Sequence, residues 1–193
     1  MTPSPHIGVL VSGTGSILEA MITAGVPIAV VAADRECRAL DIAKNAGIPA
    51  ELVERGDFGA NFDREGYTEK LTHVLKKHDI GLVAMAGFMT FLSPEFFTAF
   101  DGHVLNTHPS LLPLFKGDHA VGDALAAGAK ETGCTIHIAT EKLDDGAILA
   151  QGRVPILSED NVETLHERIK EVERKLYPQV LKDIRSGTIA LPT

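Results

Sequence analysis

Ile7-Gly8-Val9-Leu10-Val11, followed by Ser12-Gly13-Thr14-Gly15-Ser16, is the stretch that decides the fold. The β-branched run reads as a buried strand, the glycines as a tight turn, and the residues up to about Ala24 as a helix. The same alternation continues outward. Residues 28–33 form a second strand, and Asp34 leads into a helix that ends near Gly47, a residue suited to the position just past a helix end. Residues 50–53 read as a third, shorter strand and 80–86 as a fourth. Between them, 62–78 is an amphipathic helix with Tyr67, Leu71, Val74 and Leu75 on one side. Ser93 caps a further helix whose first turn accepts Pro94. Residues 103–107 are a fifth strand, followed by an irregular loop over 108–118. A helix over 118–127, strands over 134–139 and 148–154, and a last helix over 162–184 complete the chain. Val162, Leu165, Ile169, Val172 and Leu176 make one apolar stripe on that helix. Strand–helix alternation predicts an α/β fold with a doubly wound, mostly parallel sheet and a mixed edge.

With 193 residues and no composition shift, repeat or linker, one domain is expected over 1–193. A chain this long buries enough surface to fold without metal or disulfide. The apolar share of 45% and charged share of 23% are those of a globular protein. Subtracting 26 acidic from 18 basic residues leaves −8. That argues against nucleic-acid or membrane-surface partners, both polyanionic, and at face value against anionic small molecules. Cys37 and Cys134 have no metal-ligand spacing and suit a reduced cytoplasmic chain. Met1-Thr-Pro-Ser-Pro-His6 lacks the basic start of a signal peptide. No stretch approaches the roughly 18 apolar residues of a membrane span.

Three segments carry chemistry. In Gly13-Thr14-Gly15-Ser16, backbone N–H groups and the dipole of the following helix can hold a phosphate without a cationic side chain; the plainer reading is an ordinary strand-to-helix turn. The lysine of a Walker A loop is missing, and the dinucleotide pattern G-x-G-x-x-G fails at Leu18. Asp34 nevertheless sits where a ribose-binding acid is expected, so a nicotinamide oxidoreductase stays open. Asn106-Thr107-His108-Pro109 ends the fifth strand, where open α/β sheets bind ligands. Side chains two apart on a strand share a face, and an amide beside an imidazole is a minimal set for acyl transfer. Leu143-Asp144-Asp145-Gly146 reads either as turn chemistry or as a source of a carboxylate for His108. His103, His108, His119 and His137 have no metal-site spacing, and no metal is expected. His6, His73, His78 and His166 read as surface or satisfied histidines. Of the clustered Phe88, Phe91, Phe96, Phe97 and Phe100, most are expected in the core, while residues 88–92 could line a slot for a flat ring.

Ser12-Gly-Thr-Gly-Ser16, Ala86-Gly-Phe-Met89, Asn106-Thr-His-Pro-Ser-Leu-Leu-Pro113 and Leu143-Asp-Asp-Gly146 together resemble the phosphoribosylglycinamide formyltransferase family, from about Ile7 to Pro178. The resemblance implies a Rossmann-like formyltransferase fold, with a phosphate-binding half over about 1–100 and a folate and catalytic half over about 101–193. It implies transfer of the formyl group of 10-formyltetrahydrofolate, a co-substrate, to the amine of glycinamide ribonucleotide in purine synthesis. Asn106, His108 and Asp144 would then be catalytic. Gly15, Ser16, Ile17 and Glu173 would contact the nucleotide. Arg64, Met89, Thr90, Phe91, Leu92 and Asn106 would contact the folate. The partners implied are these small molecules, with neither nucleic acid nor membrane, for a monomer or homodimer in the cytoplasm.

The chain departs from the family where Thr14 and Ile17 replace asparagines, Thr90 an arginine, Ala147 a proline and Lys170 a glutamine. Ile17 offers phosphate only its backbone N–H, and Lys170 could add a cation. The relatives also frame the alternatives. Formyltetrahydrofolate deformylase shares the Asn/His/Asp set but carries an added N-terminal domain. Methionyl-tRNA formyltransferase carries an added C-terminal domain and needs a basic face. A phosphate-binding module without activity would leave Asn106 and His108 idle.

Overall fold

Runs of small and β-branched residues build interior strands that are covered on both faces. The computed structural model describes residues 5–57, 59 and 61–191; residues 1–4, part of the expected chain start, lie outside these. The chain forms two compact units, one through Leu105 and the other Asn106–Ala190. In the first, the strands are β1 (His6–Val11), β2 (Ile28–Ala33), β3 (Ala50–Leu52) and β4 (Ile80–Met85), joined through helices α1 (Ser16–Thr23), α2 (Arg38–Asn45) and α3 (Arg64–Lys77). Helix α4 (Pro94–Ala99) precedes β5 (Val104–His108), which passes into the second unit. There follow α5 (Ala120–Ala126), β6 (Glu131–Ile138), β7 (Ile148–Pro155) and α6 (Val162–Ser186).

The strand order is β3-β2-β1-β4-β5-β6-β7. Pairing is parallel through the first unit and antiparallel between β6 and β7. The chain winds outward from β1 to β3, and α3 then carries it back to β4 on the other side of β1. That reversal is the switch point at which open α/β sheets bind ligands, beyond the carboxyl ends of the strands. The interior strands show why parallel pairing is possible: Val9, Leu10 and Val11 of β1 and Val30 to Ala33 of β2 are all buried.

The long last helix packs by its stripe. Leu165 and Ile169 are fully buried against Val121, Cys134 and Val154, with Val172 and Leu176 packed beside them. Gly152 on β7 lets the helix approach, since a Cβ there would stand 2.3 Å from a Val172 methyl. Val162 departs from the expected stripe and is exposed. Strand β6 begins three residues earlier than its apolar run suggests. Its antiparallel register extends to Glu131 opposite Pro155, so pairing, not hydrophobicity, sets its start. The phenylalanines also differ from expectation. Of the five clustered ones, Phe96 and Phe100 are core, Phe88 and Phe97 are half-buried and Phe91 is exposed. Among the described residues no helix is long and apolar enough to cross a membrane.

Candidate active site

The glycine loop occupies the switch point of the first unit. Ala86 N–H donates to the Leu10 carbonyl (2.8 Å) and Ser12 N–H to that of Gly87 (3.2 Å). Met89 N–H donates to Ser12 Oγ (2.9 Å). The turns after β1 and β4 are thus tied together. Gly15 caps α1 with φ +74°, and the first intrahelical bond is donated by Glu19 to the Gly15 carbonyl. The N–H groups of Ser16, Ile17 and Leu18 therefore lack intrahelical acceptors, as at every helix start. Arg38, which sequence reasoning passed over, donates to the Thr14 carbonyl (3.0 Å) and brings a cation to this loop.

Gly15 is required twice over. Its φ is left-handed, and a Cβ would lie 2.9 Å from the Ala39 Cα and Cβ. The left-handed backbone costs a non-glycine residue roughly 1–2 kcal/mol, and overpacking adds typically about 1–3. Gly15→Ala is expected to destabilise the chain by about 2–5 kcal/mol in urea unfolding; a change under about 0.5 kcal/mol would show that neither the backbone nor the Ala39 contact demands glycine.

Residues 89–92 alternate. Met89 and Phe91 are exposed, while Thr90 and Leu92 are buried. Thr90 Oγ donates to Asp34 Oδ2 (2.7 Å), and Arg35 donates to both oxygens of Asp34 at 2.9 Å. Burial pushes the Asp34 carboxyl up, but the hydrogen bonds from Arg35, Thr90 and Ser12 outweigh it and hold it below the ordinary range. Asp34 is fully buried and engaged at both oxygens, so no acid is offered to a ribose and the nicotinamide reading loses its anchor. Arg64 is exposed at the start of α3.

The second unit brings His108 and Asp144 together. His108 ends β5, and its Nδ1 stands 3.3 Å from Asp144 Oδ2; both side chains are buried. Its Nε2 donates to the Phe115 carbonyl (2.8 Å), since a carbonyl oxygen only accepts. With a hydrogen on Nε2, a neutral ring would turn a bare lone pair toward the carboxylate. A second hydrogen on Nδ1 converts that contact into an ion pair, so the doubly protonated ring satisfies both neighbours. Asp144 Oδ2 also accepts from Gly117 N–H (2.9 Å). Asn106, two residues back on β5, is half-buried.

His137 flanks the same carboxylate. Its Nδ1 donates to the Ile138 carbonyl (3.0 Å), and Nε2 stands 3.8 Å from Asp144 Oδ1. Burial, the largest influence, pushes the ring below the ordinary histidine value and keeps it neutral. Of the two rings beside Asp144, His108 is the nearer, at 3.3 Å against 3.8 Å for His137. Among the described residues no group of three or more His, Cys, Asp or Glu is arranged to hold a metal. Lys170 pairs with Glu167 at 2.7 Å.

Glu173, on α6, is buried and accepts from Thr107 Oγ1. Burial raises its carboxyl above the ordinary value of 4.5, with the Thr107 hydrogen bond opposing it. A folded-state value above the unfolded one means stability is full at low pH and is lost as pH rises through the folded value. Glu173→Gln keeps the acceptor and removes that loss. Its Tm is expected to equal wild type below pH 4.5 and to exceed it by a few degrees at neutral pH. A lower Tm at neutral pH would contradict this reading.

The chain belongs to the formyl transferase family, whose pattern matches residues 6–181. Among its relatives, phosphoribosylglycinamide formyltransferase of Mycobacterium tuberculosis is 48% identical over 87% of this chain and 79% of that protein. The human trifunctional purine biosynthetic protein adenosine-3 is 39% identical over 96% of this chain, which spans 19% of that longer protein. The crystal structure of glycinamide ribonucleotide transformylase 1 from Symbiobacterium toebii superimposes with a TM-score of 0.90 at 34% identity, covering 100% of this chain and 92% of that one.

Proposed function

We propose that this enzyme transfers the formyl group of 10-formyltetrahydrofolate to the primary amine of glycinamide ribonucleotide. Its family membership supports the reaction class, and the relatives' names support the acceptor. The observation that carries the chemistry is the position of the His108 ring, with Nδ1 3.3 Å from the Asp144 carboxylate and Nε2 2.8 Å from the Phe115 carbonyl.

The amine attacks the formyl carbon directly, and the carbonyl oxygen becomes an oxyanion. The Asn106 amide and the protonated His108 stabilise it, and Asp144 keeps that ring charged. An oxyanion accepts more strongly than the neutral Phe115 carbonyl, so the Nε2 hydrogen is drawn toward the charge as it develops. The intermediate collapses by breaking the bond from the formyl carbon to the folate nitrogen. That nitrogen gains a proton while the attacking amine loses one, by way of His108 or water. Gly15, Ser16 and Ile17 hold the phosphate through backbone N–H groups, Glu173 contacts the acceptor, and Arg64 with residues 89–92 receives the folate. Thr90 contributes through its backbone, its hydroxyl being turned to Asp34. The −8 charge favours small-molecule partners over nucleic acid or a membrane surface.

Folate release is followed spectroscopically with and without glycinamide ribonucleotide. Release that depends on the acceptor is expected. Release at the same rate without it would make the chain a deformylase and overturn the proposal.

A further inference from the structure

Three consecutive residues, Phe115, Lys116 and Gly117, each reach the His108–Asp144 pair or its neighbour. The Phe115 carbonyl accepts from His108 Nε2, and Gly117 N–H donates to Asp144 Oδ2. Between them, Lys116 Nζ donates to Asp145 Oδ1 at 2.6 Å. Phe115 and Asp144 both hold left-handed backbone, each with φ 52°, a conformation that such residues keep only where neighbouring contacts over-determine it. Asp79 and Asp101 are also left-handed, but of the four such non-glycine residues among those described, Phe115 and Asp144 are the two that flank His108. The mechanism uses neither Lys116 nor Asp145, yet their ion pair joins the two strained turns side chain to side chain.

We propose that Lys116 and Asp145 are positioning residues whose ion pair clamps the Phe115–Gly117 turn to the Asp144 turn and so holds the carboxylate against His108. The inference rests on the functional reading above. Lys116 holds the Asp145 carboxyl below its ordinary range, with Lys142 adding a weaker attraction. Both partners are partly exposed, at 40% and 50% of their side chains. The clamp is therefore modest and screened by salt. It acts on the reacting geometry and touches no bound molecule, so it changes kcat and leaves KM alone.

The test measures kcat and KM for both substrates in Lys116→Met, Asp145→Asn, the double variant, Lys116→Arg and the charge swap K116D/D145K. Each single neutralisation is expected to lower kcat about two- to fivefold, the range of an exposed ion pair. The double variant loses no more than either single one, and Lys116→Arg and the swap recover most of the loss. Raising salt from about 0.01 to 1 M, which shortens the screening length from roughly 30 to 3 Å, lowers wild-type kcat further than that of Lys116→Met. Unchanged or raised kcat in the single variants, multiplicative losses in the double one, or a loss confined to KM would overturn the clamp. Absence of acceptor-dependent transfer in the wild-type enzyme would instead overturn the functional reading, so the two failures are told apart.

Discussion

His108→Ala is expected to lower kcat by about 10²–10³, the usual cost of losing one oxyanion donor. KM for both substrates should change little, because in the proposed mechanism the ring stabilises charge that exists only in the transition state. The substitution also removes the Nε2 donor from the Phe115 carbonyl and the imidazole from beside Asp144. Leaving buried polar groups unmatched costs about 1–3 kcal/mol, so denaturant unfolding separates lost stability from lost chemistry. If the folded variant turned over at near wild-type rate, His108 would not be the group that stabilises the oxyanion.

Asp144→Asn probes the same site with the fold preserved. An asparagine can place its carbonyl oxygen where Oδ2 accepts from Gly117 N–H, and its amide nitrogen toward the bare Nε2 of His137, 3.8 Å away. Every neighbour except His108 is then matched. What disappears is the negative charge that makes a doubly protonated His108 favourable. The expected loss is about 10²–10⁴ in kcat, comparable to the loss when an asparagine replaces the acid behind a catalytic histidine in other enzymes, with Tm within a few degrees of wild type. Retention of more than about a tenth of wild-type kcat would mean that the carboxylate does not govern His108.

Much of the architecture was legible because it is written in period and punctuation. The strand, glycine turn and helix of residues 7–24 declare themselves by β-branched runs, by the need for Gly15 at positive φ, and by helical spacing. The start of β6 was not legible, because Glu131 and Thr132 join the strand through the partner they pair with across β7. Phe91 looks like core by composition but lies on the exposed side of an alternating segment. At the site, His108 and Asp144 stood out as side chains able to form a charge pair. The Phe115 carbonyl and Gly117 N–H could not stand out, since every residue carries a carbonyl, nearly every one an N–H, and only the turn aims them. His137 looked like any other histidine until its unpaired nitrogen was placed beside Asp144. Lys116 and Asp145 are separated by 29 residues, too far for any spacing rule. Bulk charge misled at first: −8 seems hostile to a phosphate, yet a glycine loop recruits backbone dipoles that the net charge hardly affects.

The most direct test of the central claim is the fate of a labelled formyl group. With 10-formyltetrahydrofolate carrying an isotope at the formyl carbon and glycinamide ribonucleotide in excess, all of the label leaving the folate should appear on the nucleotide amine. None should appear as free formate. Label recovered as formate at a rate indifferent to the acceptor would show that water, not the amine, attacks at His108 and Asn106, and formyl transfer to the nucleotide would be the wrong function for this chain.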